Sequence, residues 1–435
     1  MLRALRHRNF RLFIVGQLIS LIGTWMQSVA QSWLVYRITG SSLLLGFVGF
    51  ASQIPVFVVA PFGGTFADRR SRHRIILVTQ TLSMVLALVL GALVLLRVVQ
   101  VWHIFLLAAL VGVVNAFDIP ARQAFVVEMV EKEDLMNAIA LNSSMVNGAR
   151  LVGPAIAGIV VAAIGEGWCF VANGISYVAV LIGLLMMTVV AKAKESTHGR
   201  SPLSHMLEGF SFVRKSSPIA ALLLLLGLVS LMGMPYAVLM PIFAEEILHG
   251  GARGLGILMG ASGAGALFGA LSLARRRGLE GLGRWVALAS AGFGLSLVAF
   301  AFSRWFWLSA LLLLPVGYSM MVQMASSNTL VQAMVPDRLR GRVMAVYSMM
   351  FMGMAPIGAL LAGALAARLG APITVAAGGV VCVFGAIFFA RKLPQLRVVA
   401  REMIIAQQAV GGDPSEEVTS VREPTRVPPD RQEAH

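Results

Sequence analysis

The sequence predicts an all-α membrane protein, with twelve transmembrane helices in two pseudo-symmetric six-helix bundles. Three observations carry that prediction. Hydrophobic residues make up 58% of the 435 and charged residues only 13%, with a mean hydropathy of +0.82; soluble domains carry about 25% charge. The apolar residues gather into twelve runs of roughly the ~20 residues a helix needs to cross a ~30 Å hydrocarbon core. The second half of the chain also repeats the first.

The runs, in order, are Phe10–Tyr36, Leu43–Phe66, Ile75–Leu96, Val101–Phe117, Ala138–Ile164, Trp168–Val190, Ile219–Pro241, Leu255–Ala274, Trp285–Phe302, Trp305–Met324, Val343–Ala367 and Pro372–Ala390. Helices are required because lipid offers backbone groups no hydrogen bonds. None of the runs alternates as a barrel strand would. The first follows a basic start (Arg3, Arg6, Arg8, Arg11) and holds Ser28-Val29-Ala30, which imitates a cleavage site. Its length and regular polar stripe make it a span rather than a signal peptide.

Of the 35 basic residues, 29 fall on the side of the N-terminus, five on the other, and Arg150 alone lies inside a span. That split places both termini in the cytoplasm of a cell (inner or plasma) membrane. The net charge of +15 is thus an orientation signal, not a nucleic-acid surface. Cys169 and Cys382 sit in apolar runs and form neither a disulfide framework nor a metal-ligand spacing.

The repeat is seen by laying Met129–Gly165 on Met334–Gly370, which gives 11 identities in 37 ungapped positions. Gly148/Gly353, Gly153/Gly358, Gly158/Gly363 and Gly165/Gly370 are among them. The expected organisation is a first bundle over 1–190, a cytoplasmic linker over 191–218, a second bundle over 219–393 and a disordered cytoplasmic tail over 394–435. Leu203, Met206, Leu207, Phe210 and Val213 recur at helical spacing, so the linker should hold an amphipathic helix. Repeated halves with a site between them are a transporter architecture.

The segment after span two reads Gly64-Thr65-Phe66-Ala67-Asp68-Arg69-Arg70-Ser71-Arg72-His73-Arg74. It resembles the signature loop of the major facilitator superfamily, Gly-x-Leu-Ala-Asp-Arg-x-Gly-Arg-Arg-Arg, with Phe66 for Leu and Ser71 for Gly. The second-half counterpart keeps Gly269 but has Leu273 where the acid would stand. Span five, Gly148-Ala149-Arg150-Leu151-Val152-Gly153-Pro154-Ala155-Ile156-Ala157-Gly158, is similar to the Gly-Pro motif of drug:proton antiporters, with Ala157-Gly158 for its final Gly-Gly. Asn115-Ala116-Phe117-Asp118-Ile119-Pro120-Ala121-Arg122-Gln123 and Leu239-Met240-Pro241-Ile242-Phe243-Ala244 resemble the enterobactin-exporter-like, or transmembrane secretion effector, branch. The resemblance runs from about Leu5 to Lys392. It implies the major facilitator fold and export of a small molecule, a siderophore-like metabolite or a drug, by proton antiport.

Gly64, Asp68, Arg69 and Arg72 are expected to form a gating latch on the basic face. There Asp68 meets the start of span eleven, and a carboxylate at a helix N-terminus gains about 0.3–1 kcal/mol; the alternative is a turn with topology charges. Arg150 lies deep in a span, at a cost of ~2.5–3.5 kcal/mol, so it must face a cavity or a carboxylate. Asp118 is the nearest intramembrane acid in sequence and a candidate for proton coupling. It has three readings: a pair with Arg150, a pair with Arg122 at i,i+4, or a cap for a helix beginning at Pro120. Gly148, Gly153, Pro154 and Gly158 serve either the antiport motif or close helix packing. Gln17, Ser20, Thr24, Gln27 and Gln31 recur on one helical face of span one. They are expected to line the substrate cavity, with bonding to neighbouring helices as the alternative; Asn115, Asn142, Asn147, Tyr318 and Gln323 join them as cavity residues. Glu245 and Glu246 are expected in an exposed outer loop, with a part in the outer gate as the lesser reading. Glu128 is expected on a solvated face.

No Gly-x-x-x-x-Gly-Lys-Ser/Thr loop and no nucleophile constellation occurs. The expectation is therefore no enzyme, no cofactor, no metal and no nucleic acid. A monomer in the lipid bilayer would move a small-molecule substrate on the proton-motive force. Uptake or facilitated diffusion by the same fold, and a non-transporting membrane receptor or assembly factor, are the rival readings.

Overall fold

The computed structural model describes residues 3–188, 202–276 and 278–411, with backbone alone at 60–65, 67–69, 132, 202–206, 337 and 408–411. Twelve of its helices are long and apolar enough to cross a membrane. Spans one to six are Arg8–Thr39, Ser42–Arg69, Arg72–Leu95, Val101–Glu128, Leu135–Ile164 and Glu166–Leu185. Spans seven to twelve are Ser217–Ile247, Gly251–Ala274, Leu282–Phe302, Phe306–Met334, Arg338–Leu369 and Ala371–Gly411. Each apolar run is matched by one helix.

Several helices continue past the apolar run that announced them. Span four runs eleven residues beyond Phe117, through Pro120, to Glu128. Arg122 is therefore a helix residue, and the cap reading of Asp118 falls because no helix begins at Pro120. Span twelve continues through Pro394 to Gly411, so the tail expected to be disordered from 394 is helical over its first part; residues 412–435 lie outside the described residues. The linker helix spans Pro202–Lys215 and buries Val213, while Leu207 is exposed. It docks where Glu208 pairs with Arg342, at the start of span eleven.

In the first half, span one packs on spans five and six, and span four packs on spans two and three. In the second half, span ten packs on spans eight and nine, and span nine on span twelve. The halves meet along two helix pairs, span five with span eight and span two with span eleven.

The duplicated glycines now have a physical reason. A Cβ built on Gly158 would lie 2.8 Å from the Gly256 Cα, and one on Gly363 would lie 2.9 Å from the Gly46 Cα. Both positions therefore allow backbone-on-backbone crossings between the halves, near the face opposite the basic loops. Gly153 lets span five close on span one, with its Cβ position 2.8 Å from the Ile22 carbonyl oxygen. Gly358 does the same for span eleven on span seven, 2.9 Å from the Pro235 ring. Gly165 and Gly370 end spans five and eleven with φ of +92° and +84°, a conformation L side chains rarely adopt. Of the four pairs, only Gly148/Gly353 has lost its equivalence. Open space surrounds the Gly148 position, whereas Phe57 fills that of Gly353.

Span seven is not a regular helix. π-helical turns at Val229–Gly233 and Phe243–Ile247 flank Pro235 and Pro241. A proline ring removes one donor and displaces the carbonyl a turn before it, and the wider π turn absorbs the mismatch. Span eleven breaks at Gly353. Span five, by contrast, stays helical across Pro154.

Candidate functional site

Arg150 lies half-buried on span five, beside the seam between the halves. The seam is tight at this level, where a Cβ on Gly263 of span eight would sit 2.9 Å from the Leu151 Cα and 3.0 Å from the Arg150 carbonyl oxygen. The guanidinium stands 5.3 Å from the centre of the Trp25 ring, and its Nη2 donates to the Met320 sulfur at 3.7 Å. Tyr236 of span seven is within electrostatic reach and shares a 2.7 Å hydrogen bond with Ser262 of span eight. No carboxylate of a described residue pairs with Arg150.

Asp118 is engaged elsewhere, which corrects the expected Asp118–Arg150 pair. It is 3% exposed, and its Oδ1 accepts from Thr79 Oγ1 at 2.7 Å and Gln80 Nε2 at 2.9 Å. Its Oδ2 lies 3.4 Å from Arg122 Nη2, the i,i+4 alternative, and Arg122 Nη1 donates to Gln17 Oε1 at 3.0 Å. One carboxylate thus ties spans one, three and four. Thr79 and Gln80 went unnoticed in the sequence, where the signal was two adjacent polar residues inside an apolar run.

Three residues of the span-one stripe turn into their own bundle. Gln17, Ser20 and Gln27 are buried. Gln27 Oε1 accepts from Asn173 Nδ2 of span six at 2.6 Å, and Thr24 Oγ1 donates to the Ser20 carbonyl at 2.9 Å. Thr24 is exposed and Gln31 half-buried. Neighbour bonding, the alternative reading, describes Gln17 and Gln27. Span one meets the Arg150 region through Trp25 instead, one residue off the stripe.

Asn115, Asn142, Asn147 and Tyr318 are half-buried, and Asn147 Nδ2 donates to the Ser143 carbonyl at 2.9 Å. The Tyr318 hydroxyl accepts from Ser272 Oγ at 3.2 Å. Gln323 is 1% exposed, so it is packed inside the second bundle. It stands 205 positions after Asp118, its repeat equivalent. Its Nε2 and the Oγ atoms of Ser290, Ser326 and Ser327 are buried without a partner among the described residues. The second bundle thus carries an uncharged, slacker counterpart of the Asp118 network.

On the basic face, the stretch read as a loop is helical up to Arg69, and the chain turns only at Arg70 and Ser71. The side chains of Asp68 and Arg69, and the surroundings of Gly64, lie outside the described residues. Arg72 Nη1 donates to the Ala124 carbonyl at 3.2 Å and to Glu128 Oε1 at 2.7 Å. It therefore clamps span three to span four, and Glu128, exposed as expected, is its ion-pair partner.

At the opposite face the halves are bonded directly. The Tyr36 hydroxyl of span one donates to Glu246 of span seven, and Ser42 Oγ of span two donates to the Gly363 carbonyl of span eleven at 3.2 Å. Glu246, expected in an exposed outer loop, is exposed but stands in the π-helical end of span seven and bonds across the seam. Arg37 pairs with Glu166 within the first half. Neither Tyr36 nor Ser42 stood out in the sequence: one is the last residue of its apolar run and the other just precedes the next. Tyr36→Phe should therefore speed labelling of a cysteine placed at Ser42 by a membrane-impermeant maleimide, by about two- to tenfold for a hydrogen bond worth ~0.5–1.5 kcal/mol. An unchanged rate would show that this bond does not hold the seam.

A family model described as transmembrane secretion effector matches residues 1–424. The staphyloferrin A transporter of Staphylococcus aureus (strain NCTC 8325 / PS 47) is 25% identical over 390 residues, 89% of this chain and 97% of that protein. The enterobactin exporter of Shigella boydii serotype 4 (strain Sb227) is 26% identical over 381 residues, 86% of this chain and 89% of that protein. Among solved structures, a variant of the nucleoside transporter NupG superposes with a TM-score of 0.68 at 15% identity, covering 88% of this chain and 99% of that one. A bacterial homologue of the lysosomal transporter Spinster, inward-facing and unoccupied, gives 0.67 at 14% identity, covering 92% and 98%.

Proposed function

Because the chain belongs to the transmembrane secretion effector family and has the major facilitator fold, we propose that it exports a small siderophore-type metabolite by alternating access, in antiport with protons. The basic face is cytoplasmic, and the membrane is the cytoplasmic membrane of a bacterium. The observation that carries this reading is the seam itself. Two glycine crossings related by the repeat, Gly158 on Gly256 and Gly363 on Gly46, close one face. Arg150 lies about 12 Å deeper along span five, eight residues from Gly158. Such a seam lets two rigid bundles rock about a site between them.

Asp118 is tied by Thr79, Gln80 and Arg122 inside one bundle, which suits a structural role. Glu246 bonds across the seam at the outer face, so breaking the seam changes its surroundings, and we assign it the coupling proton. Export of the metabolite should be measured in everted vesicles with an imposed pH gradient. Wild-type protein should accumulate substrate inside the vesicle when the lumen is acid, and Glu246→Gln should move substrate only downhill. Accumulation that ignores the gradient would remove antiport, and no accumulation of any siderophore-type compound would remove the export reading.

A further inference from the structure

We infer that Arg150 is the anchor for a carboxylate of the transported molecule, so that the substrate class is an organic anion with an aromatic or apolar body. This rests on the transport reading above and deepens it.

Other described charges in the first half are satisfied within that bundle: Asp118 with Arg122, Arg37 with Glu166, and Arg72 with Glu128. Arg150 differs. A guanidinium offers five N–H donors in a planar fork, and its one acceptor here is a thioether sulfur at 3.7 Å, a weak partner. The Trp25 face, 5.3 Å away, attracts the cation but accepts no conventional hydrogen bond. An arginine at this depth needs a counter-charge or a wet cavity. None is supplied by the described residues, and the fork matches a carboxylate in bidentate geometry.

The surroundings select the rest of the ligand. Trp25 and Met320 are large and apolar or polarisable, which suits a ring stacked beside the guanidinium. From the second half, Met320 of span ten meets the guanidinium, while Tyr236 and Ser262 are buried and hydrogen-bonded to each other. A carboxylate on Arg150 thus draws its contacts from both bundles. Rocking that separates span five from span ten breaks this shared set, so the anion is bound tightly in one state and weakly in the other. Cations and neutral molecules of equal size lack the same hold.

The test uses the full chain purified in detergent and three probes of one shape: naphthoate, naphthalenemethanol and naphthylmethylammonium. Naphthoate should raise the thermal midpoint of the wild-type protein in a concentration-dependent way, and the alcohol and ammonium probes should not. Arg150→Gln should weaken naphthoate binding by about ten- to a hundredfold, and Arg150→Lys by less. Arg368→Gln, at an exposed arginine of the opposite face, should leave it unchanged. Should Arg150→Gln fail to purify, Arg150→Lys and the three-probe series on wild type still decide. Equal shifts from naphthoate and the alcohol, or naphthoate binding unaffected by loss of Arg150, overturn the proposal. The two readings fail separately. Arg150-dependent anion binding without transport would sink only the exporter, and gradient-driven export that survives Arg150→Gln at wild-type affinity would sink only the anion site.

Discussion

Replacing Asp118 with alanine is expected to destabilise the protein by about 3–5 kcal/mol, the cost of stranding the partner of a buried ion pair. The side chain is 3% exposed, and removing it leaves Arg122, Thr79 and Gln80 pointing at a hole among three helices. Asp118→Asn is milder. Its amide oxygen still accepts from Thr79 and Gln80, so the loss is chiefly that of one charge-assisted bond, about 1.5–3 kcal/mol. Thermal unfolding in detergent checks the order. An alanine variant within about 1 kcal/mol of wild type would mean that the network does not hold the bundle together. The comparison also separates structure from coupling, since a proton carrier would lose gradient dependence in Asp118→Asn without losing stability.

Gly158→Val is expected to abolish transport, at least tenfold, while the protein still reaches the membrane. The added Cβ would lie 2.8 Å from the Gly256 Cα and 3.1 Å from the Arg253 carbonyl oxygen, and backbone on that side cannot step away as a side chain can. The halves would be wedged apart at the opposite face, and the impermeant maleimide should label a cysteine at Ser42 faster than in the parent. Gly148→Ala is the internal control within the same motif. Nothing lies within 4 Å of that position, so alanine should be tolerated and gain about 0.5–1 kcal/mol of helix stability. Wild-type transport by Gly158→Val would show that the crossing takes no part in the cycle.

The contrast between these two glycines shows how far the sequence could be read. Both belong to one motif and both have a glycine at the repeat position, yet one meets a backbone and the other empty space. The repeat announced that Gly158 and Gly363 share a task. What the task is depends on which helix lies opposite. The same holds for the span-one stripe. Its spacing correctly collected Gln17, Ser20, Thr24, Gln27 and Gln31 on one face, but a periodicity does not say whether that face looks into a cavity or onto span six.

The number of spans, the asymmetry of basic charge and the internal duplication were determined by the sequence alone. Lipid imposes those features locally: each helix must satisfy its own backbone and cross a fixed thickness. The choice of partners was decided only by the tertiary structure. Asp118 chose Arg122 over Arg150, Tyr36 reached Glu246 across 210 residues, and Arg150 was left without a described carboxylate. Those choices depend on which helices become neighbours and how closely glycines let them approach, and hydropathy along a single helix carries no record of either.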